Sequence, residues 1–239
     1  MDKINVIKGP WVSERENSAV SDFITDLSKK GVTPLSVIAY GSILREDFVP
    51  KTSDINLLVI VPTLDKKVLE KLSGTTKEFM KKGIAPLFLT KNDLILAEEL
   101  FSLKFLTIKV SHQLIFGKNI LGKLWIKEAD LLFRCKQELL NTLLKLRKNY
   151  LTKNVSKKAL SSTINSFVEV IRVLVSVNRK NLVLREEAIN LASKKYGFNP
   201  LTIRKILALK SGKNISDTEL FELYSEYMEI ISNILSKFN

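Results

Sequence analysis

The stretch from Val37 to Val61 constrains this chain more than any other. Val37-Ile38-Ala39-Tyr40 is an unbroken apolar run that reads as a strand, and it leads straight into Gly41-Ser42. A polar loop follows, and then Ser53-Asp54-Ile55-Asn56 opens a second apolar strand, Leu57-Leu58-Val59-Ile60-Val61. Glycine permits a turn tight enough to bring backbone N–H groups close to a phosphate, and the Ser42 hydroxyl adds a donor. Residues i and i+2 of a strand share a face, so Asp54 and Asn56 are placed to act together.

This layout resembles the signature of the DNA polymerase beta superfamily of nucleotidyltransferases: Gly-Ser, a spacer, then Asp-x-Asp or Asp-x-Glu on a strand. The resemblance implies nucleotidyl transfer, in which the α-phosphorus of a nucleoside triphosphate is attacked and pyrophosphate leaves. Two divalent cations about 3.5–4 Å apart stabilise the attacking and leaving oxygens. Magnesium takes oxygen ligands, and carboxylates supply both ligands and compensating charge. Carried over by motif, Gly41, Ser42 and Ser53 would bind the nucleotide, and Asp54 with Asn56 would form the catalytic pair, Asp54 as the metal ligand. Asn56 stands where the second carboxylate belongs. Its neutral carbonyl oxygen brings no charge.

A third carboxylate is expected from a later strand. The segment from Asn92 to Gly117 resembles bacterial members that carry a helical C-terminal domain, and the match lays Phe101–Thr107 on that strand. Lys104 then takes a glutamate position and Thr107 an aspartate position. On this placement only Asp54 survives of three, and the Lys104 ammonium is a substitute for the metal. At an effective dielectric near 20, each such charge change at about 4 Å is worth roughly 4 kcal/mol before compensation. If the placement shifts, Glu98 or Glu99 becomes the remaining candidate.

The 239 residues are 45% hydrophobic, enough for one large core or two smaller ones. No run approaches 18 uncharged apolar residues, so no transmembrane helix and no membrane partner are expected. The start lacks the apolar centre of a signal peptide, and a lone cysteine, Cys135, fits a reducing compartment; the expectation is a cytoplasmic protein. Cys135 and the single histidine, His112, read as structural, which leaves zinc sites and Cys/His catalysis poorly supported. The net charge of +13 is uneven: residues 126–213 hold 19 basic and 6 acidic side chains, residues 214–239 only 1 basic and 5 acidic. Such a block is the composition of a nucleic-acid-binding surface, and equally of a lysine-rich solvated one. Lys145, Arg147, Lys148, Lys157, Lys158, Lys194, Lys195, Arg204 and Lys205 would form the basic surface.

The fold class expected is α/β (α+β): a nucleotidyltransferase-like core over residues 1–125, then a helical bundle over 126–239. In the first part the pattern gives helices around Glu16–Lys29, Asp65–Lys82 and Lys91–Phe101. Strands are expected at Leu35–Tyr40, Ile55–Val61 and Ala85–Leu89, and near Leu103–Val110 and Gln113–Phe116. From Glu128 onward five amphipathic helices follow, punctuated by Gly197, Asn199-Pro200, Gly212 and the Ser216–Glu219 capping box. This order resembles kanamycin nucleotidyltransferase and related antibiotic adenylyltransferases, whose acceptor lies between core and bundle. Arg45, Glu46, Asp47 and Lys51 would face that cleft.

Three readings of the motif compete. It is an ordinary strand–turn–strand; or it belongs to a working enzyme holding one magnesium through Asp54 and Asn56; or it belongs to a degenerate relative that keeps the fold without the chemistry and binds nucleoside triphosphate, RNA or a protein. The degenerate relative is the favoured reading, with no cofactor required. The sequence leaves the acceptor, the nucleotide and the oligomeric state open.

Overall fold

The computed structural model describes residues 3–45, 48, 50, 53–177, 182–210, 212 and 214–238. The chain divides into two compact units, Met1–Ile126 and Lys127–Asn239. The first is a four-stranded mixed sheet between helices, the second a helical bundle.

In the first unit, α1 (Glu14–Lys29) starts at Ser13. The Ser13 hydroxyl accepts from the Arg15 N–H, and the Glu16 carboxylate accepts in return from the Ser13 N–H at 3.0 Å. Then come β1 (Ser36–Tyr40), a 3₁₀ turn at Gly41–Leu44, β2 (Ile55–Ile60), α2 (Lys66–Met80) and β3 (Ile84–Leu89). α3 (Lys91–Leu100), α4 (Ser102–Val110) and β4 (His112–Gly117) complete the unit. The sheet order is β3-β2-β1-β4. β1 runs antiparallel to both β2 and β4, and β3 is parallel to β2, as a strand–helix–strand crossover requires.

Alternation along β2 sorts the core into two layers. Ile55, Leu57 and Val59 pack with Val20, Phe23 and Leu27 of α1 and with Leu72 and Phe79 of α2. Leu58 and Ile60 pack on the other side with Ile38, with Leu94 of α3 and with Phe105 and Ile108 of α4. Both sheet edges are blunted. β3 carries Pro86, which removes a donor from the outer edge. β4 is flanked by residues 5–8: the Asn5 N–H donates to the Ile115 carbonyl at 2.8 Å, and the Gln113 side chain brackets Val6 and Lys8.

One expected element is wrong. Leu103–Val110, expected as a strand, lies within the helix α4. Ser102, Phe105 and Ile108 recur at intervals of three and are the residues that α4 buries, so a helical period governs the segment.

The second unit comprises α5 (Glu128–Leu151), α6 (Lys157–Ser176), α7 (Arg185–Tyr196), α8 (Pro200–Leu209) and α9 (Asp217–Ser236). Asn199 caps α8 with Pro200 in its first turn, and Gly197 closes α7 at φ +76°. Ser216 caps α9 by accepting from the Glu219 N–H, while the Glu219 carboxylate pairs with Lys205 at 3.1 Å. α6 is the centre: it packs against α5, α7 and α8, and its Phe167 meets Tyr227 of α9 edge-on at 5.2 Å. The expectation of no membrane-length helix needs amending, because α6 is long and apolar enough by composition to cross a bilayer, with a mean hydropathy of 1.3. Its apolar positions are the ones this bundle buries, Leu160, Ile164, Phe167, Ile171 and Leu174 among them. Cys135 is fully buried in α5.

Candidate functional site

The Gly-Ser turn grows directly out of β1. Tyr40 is the last strand residue, Gly41 takes φ +86°, and Gly41–Leu44 wind into one 3₁₀ turn in which the Arg45 N–H donates to the Ser42 carbonyl at 2.8 Å. Only glycine holds that φ without strain. The turn is locked from two sides. Ile43 is fully buried, and a methyl group on Gly9 would stand 2.1 Å from the Ile43 carbonyl oxygen, so the N-terminal segment lies against the turn. A methyl group on Gly41 would stand 3.3 Å from Nδ2 of Asn56. Asn56 therefore stands where a side chain on residue 41 would point.

Register places Asn56 opposite Tyr40 on β1, and Tyr40 opposite His112 on β4. Tyr40 packs with the core layer of Ile38, Leu58 and Ile60, so alternation puts half-buried Asn56 on the face covered by α3 and α4. Burial pushes the Tyr40 hydroxyl above the ordinary phenol pKa. His112 is held by its neighbours, with Nδ1 2.8 Å from the Lys109 carbonyl and Nε2 3.1 Å from Nδ2 of Asn119. Asp54, just ahead of β2, is exposed, and Ser53 is half-buried. Both line a depression of about 560 Å³ together with Arg15, Ser18 and Asp22 of α1 and the Lys81–Gly83 segment. Ser42 is half-buried at the turn.

Lys104 is not where the sequence put it. It lies exposed in the first turn of α4, where its stem helps line an apolar pocket with Leu87, Leu100 and Phe101. No ion pair joins it to Asp54 among the described residues. Thr107, the other position carried over from the supposed strand, spends its hydroxyl on the Lys104 carbonyl at 2.7 Å. Of the fallback carboxylates on α3, Glu98 accepts from the Trp125 N–H at 3.1 Å and Glu99 is exposed. Glu46, Asp47 and Lys51 lie outside the described residues, while Arg45 caps the turn.

The strand that does flank Asn56 is β3. Asn56 pairs with Ala85, and the residues of β3 on the same face are Ala85, Leu87 and Leu89. None can bind a cation. The signal for this neighbour was present in the sequence, because a strand–helix–strand unit with a right-handed crossover sets its second strand parallel and beside the first. Among the described residues no three His, Cys, Asp or Glu side chains gather closely enough to hold a metal ion. Magnesium in the two-metal form does not fit the donors that surround Asn56 among the described residues. Several of the basic residues of the second unit are engaged locally: Arg204 with Glu186, Lys205 with Glu219, and Lys195 with the Leu174 carbonyl at 3.3 Å.

No protein-family model matches the chain. No curated protein matches it either. Among solved structures it is similar to spectinomycin adenyltransferase AAD(9) from Enterococcus faecialis, crystallised with ATP and spectinomycin. The identity is 16% and the TM-score 0.56, over 90% of this chain and 97% of that one. At that identity the likeness speaks for the fold, and it spans both the mixed sheet and the helices. The chain carries the nucleotidyltransferase fold that its Gly41–Val59 segment resembles.

Proposed function

We propose that this protein is a degenerate nucleotidyltransferase that binds a nucleoside triphosphate and no longer transfers the nucleotidyl group. The observation that carries this is the composition of the sheet face at Asn56: Asn56 itself, Ala85 and Leu87, where two-metal transfer needs carboxylates. Nucleotide binding is supported by the Gly41-Ser42 pair itself, which keeps the turn of the nucleotidyltransferase signature at positive φ with Ser42 half-buried beside it. The similar adenyltransferase was crystallised with ATP, which supplies the ligand class.

Two measurements test the two halves separately. Incubation with labelled triphosphates and magnesium or manganese, with and without hydroxyl acceptors, is expected to release no pyrophosphate; release would restore the active-enzyme reading. A thermal-shift titration with ATP is expected to stabilise the protein by about 1.4 kcal/mol at ten times Kd. A flat titration removes the nucleotide and leaves the fold without this ligand.

A further inference from the structure

Three polar side chains meet at the end of the sheet where the Gly-Ser turn sits. Tyr40, Ser42 and Asn56 are each half-buried. Tyr40 and Asn56 are directly opposed on β1 and β2, so their side chains share a face. Nδ2 of Asn56 stands 3.3 Å from the place a methyl group on Gly41 would take, and Ser42 is the next residue of the turn. Among the described residues, neither hydroxyl nor the Asn56 amide has a hydrogen-bond partner. Polar groups withdrawn from water are usually paired within the fold, and here three neighbours are uncommitted.

All three are neutral and all three can donate. Burial raises the Tyr40 hydroxyl above the ordinary phenol pKa, which keeps its proton in place. The carboxylates of the neighbouring segments are occupied elsewhere. Asp54 lines the depression on the α1 side. Asp93 caps α3 at Thr90, beyond the far end of β3, and Glu98 accepts from the Trp125 N–H.

That set of groups inverts the electrostatics of a two-metal site. There the cations lie between protein carboxylates and phosphates, two sets of oxygens that otherwise repel. At this patch the described groups are an amide, two hydroxyls, Ala85 and Leu87, so there is no such repulsion for a cation to offset. Phosphate oxygens only accept, and neutral donors can meet them directly. The net charge of +13 favours an anion at long range. Given the nucleotide binding proposed above, on which this rests, we infer that the phosphates are held without a divalent cation, by the hydroxyls of Tyr40 and Ser42 and the amide of Asn56. The ligand is then the metal-free nucleoside triphosphate.

Calorimetric titration of the full chain with ATP, at matched ionic strength, compares a buffer containing EDTA with one containing excess magnesium. Binding is expected in EDTA and should be at least several-fold weaker in magnesium, which converts the free nucleotide into a complex the site does not take. Inorganic tripolyphosphate should displace ATP in EDTA. Tyr40→Phe and Ser42→Ala each remove a hydroxyl that bonds no described group, so unfolding midpoints should not move. ATP affinity in EDTA should nevertheless fall about three- to ten-fold in each. Asn56→Asp, which sets a negative charge against the phosphates, should weaken that binding more than Asn56→Ala does. Binding that requires magnesium, or is equal in the two buffers, overturns the metal-free site and leaves nucleotide binding standing. No binding in either buffer overturns both. ATP that tripolyphosphate cannot displace, hydroxyl variants that bind as tightly as the wild type, or equal losses in Asn56→Asp and Asn56→Ala each remove these donors from the phosphates and overturn the proposal.

Discussion

Gly83 and Gly41 have nearly the same backbone angle, φ +85° and +86°, in very different surroundings. A methyl group at Gly83 would meet nothing within 4 Å, whereas one at Gly41 would press on Nδ2 of Asn56 at 3.3 Å. Gly83→Ala thus measures the cost of the left-handed conformation by itself, about 1–2 kcal/mol. Gly41→Ala carries the same cost plus crowding of the half-buried Asn56 side chain, about 1 kcal/mol more. In an Asn56→Ala background only the β-carbon remains, at 3.9 Å, and the excess should vanish. Because the chain has two units, a single unfolding midpoint mixes them. Amide hydrogen exchange of β1 and β2 reports the sheet locally. If Gly41→Ala is no costlier than Gly83→Ala, or if the excess survives Asn56→Ala, the contact between turn and strand is not the one described.

Restoring the donors along the observed register, Asn56→Asp with Ala85→Asp, should create divalent-cation affinity measurable by manganese titration, whereas Asn56→Asp with Lys104→Glu should create none. Burial pushes the Cys135 thiol up to about 12, so native protein should resist thiol reagents at pH 8 and react fully once unfolded. A hydrogen bond from the Thr75 hydroxyl at 2.5 Å, and Lys30 at 3.0 Å, hold the Asp26 carboxyl below its ordinary pKa. The stability this adds is fully present above the unfolded carboxylate value and is lost as pH falls through the depressed folded one. Acid titration of sheet protection should show that loss in the wild type and flatten it in Asp26→Asn.

Where the sequence punctuates its elements, the fold could be read from it. Ser13, Asp65, Ser156, Asn199 and Ser216 each cap the helix that follows, and each capping side chain accepts a backbone N–H. The β1–β2 pair was legible because two apolar runs flank a glycine turn, and Ser36–Tyr40 pairs residue for residue with Ile60–Asn56. α4 has no such mark. A single residue, Phe101, separates it from α3, and that residue provides no side-chain cap. Leu103, Phe105 and Thr107 alternate like a strand while Phe105 and Ile108 step like a helix, and nine residues are too few for the period to decide. That single misreading put Lys104 on a strand beside Asn56, where β3 stands.

The Gly-Ser turn carries two kinds of information that the sequence alone cannot separate. In the nucleotidyltransferase signature, glycine is expected because a phosphate approaches the backbone. Here Gly41 is required whether or not anything binds, because its φ is positive and Asn56 occupies the space a side chain would need. Gly9 is required at the same turn, against the Ile43 carbonyl. A matching glycine therefore testifies to the fold, and it would persist in a protein that had lost every ligand. The carboxylates behave differently. Residues 56 and 85 are both half-buried at the end of the sheet where the turn sits. Neither residue has the positive φ that fixes Gly41, which is why the proposed loss of transfer rests on the sheet face at Asn56 and not on the turn.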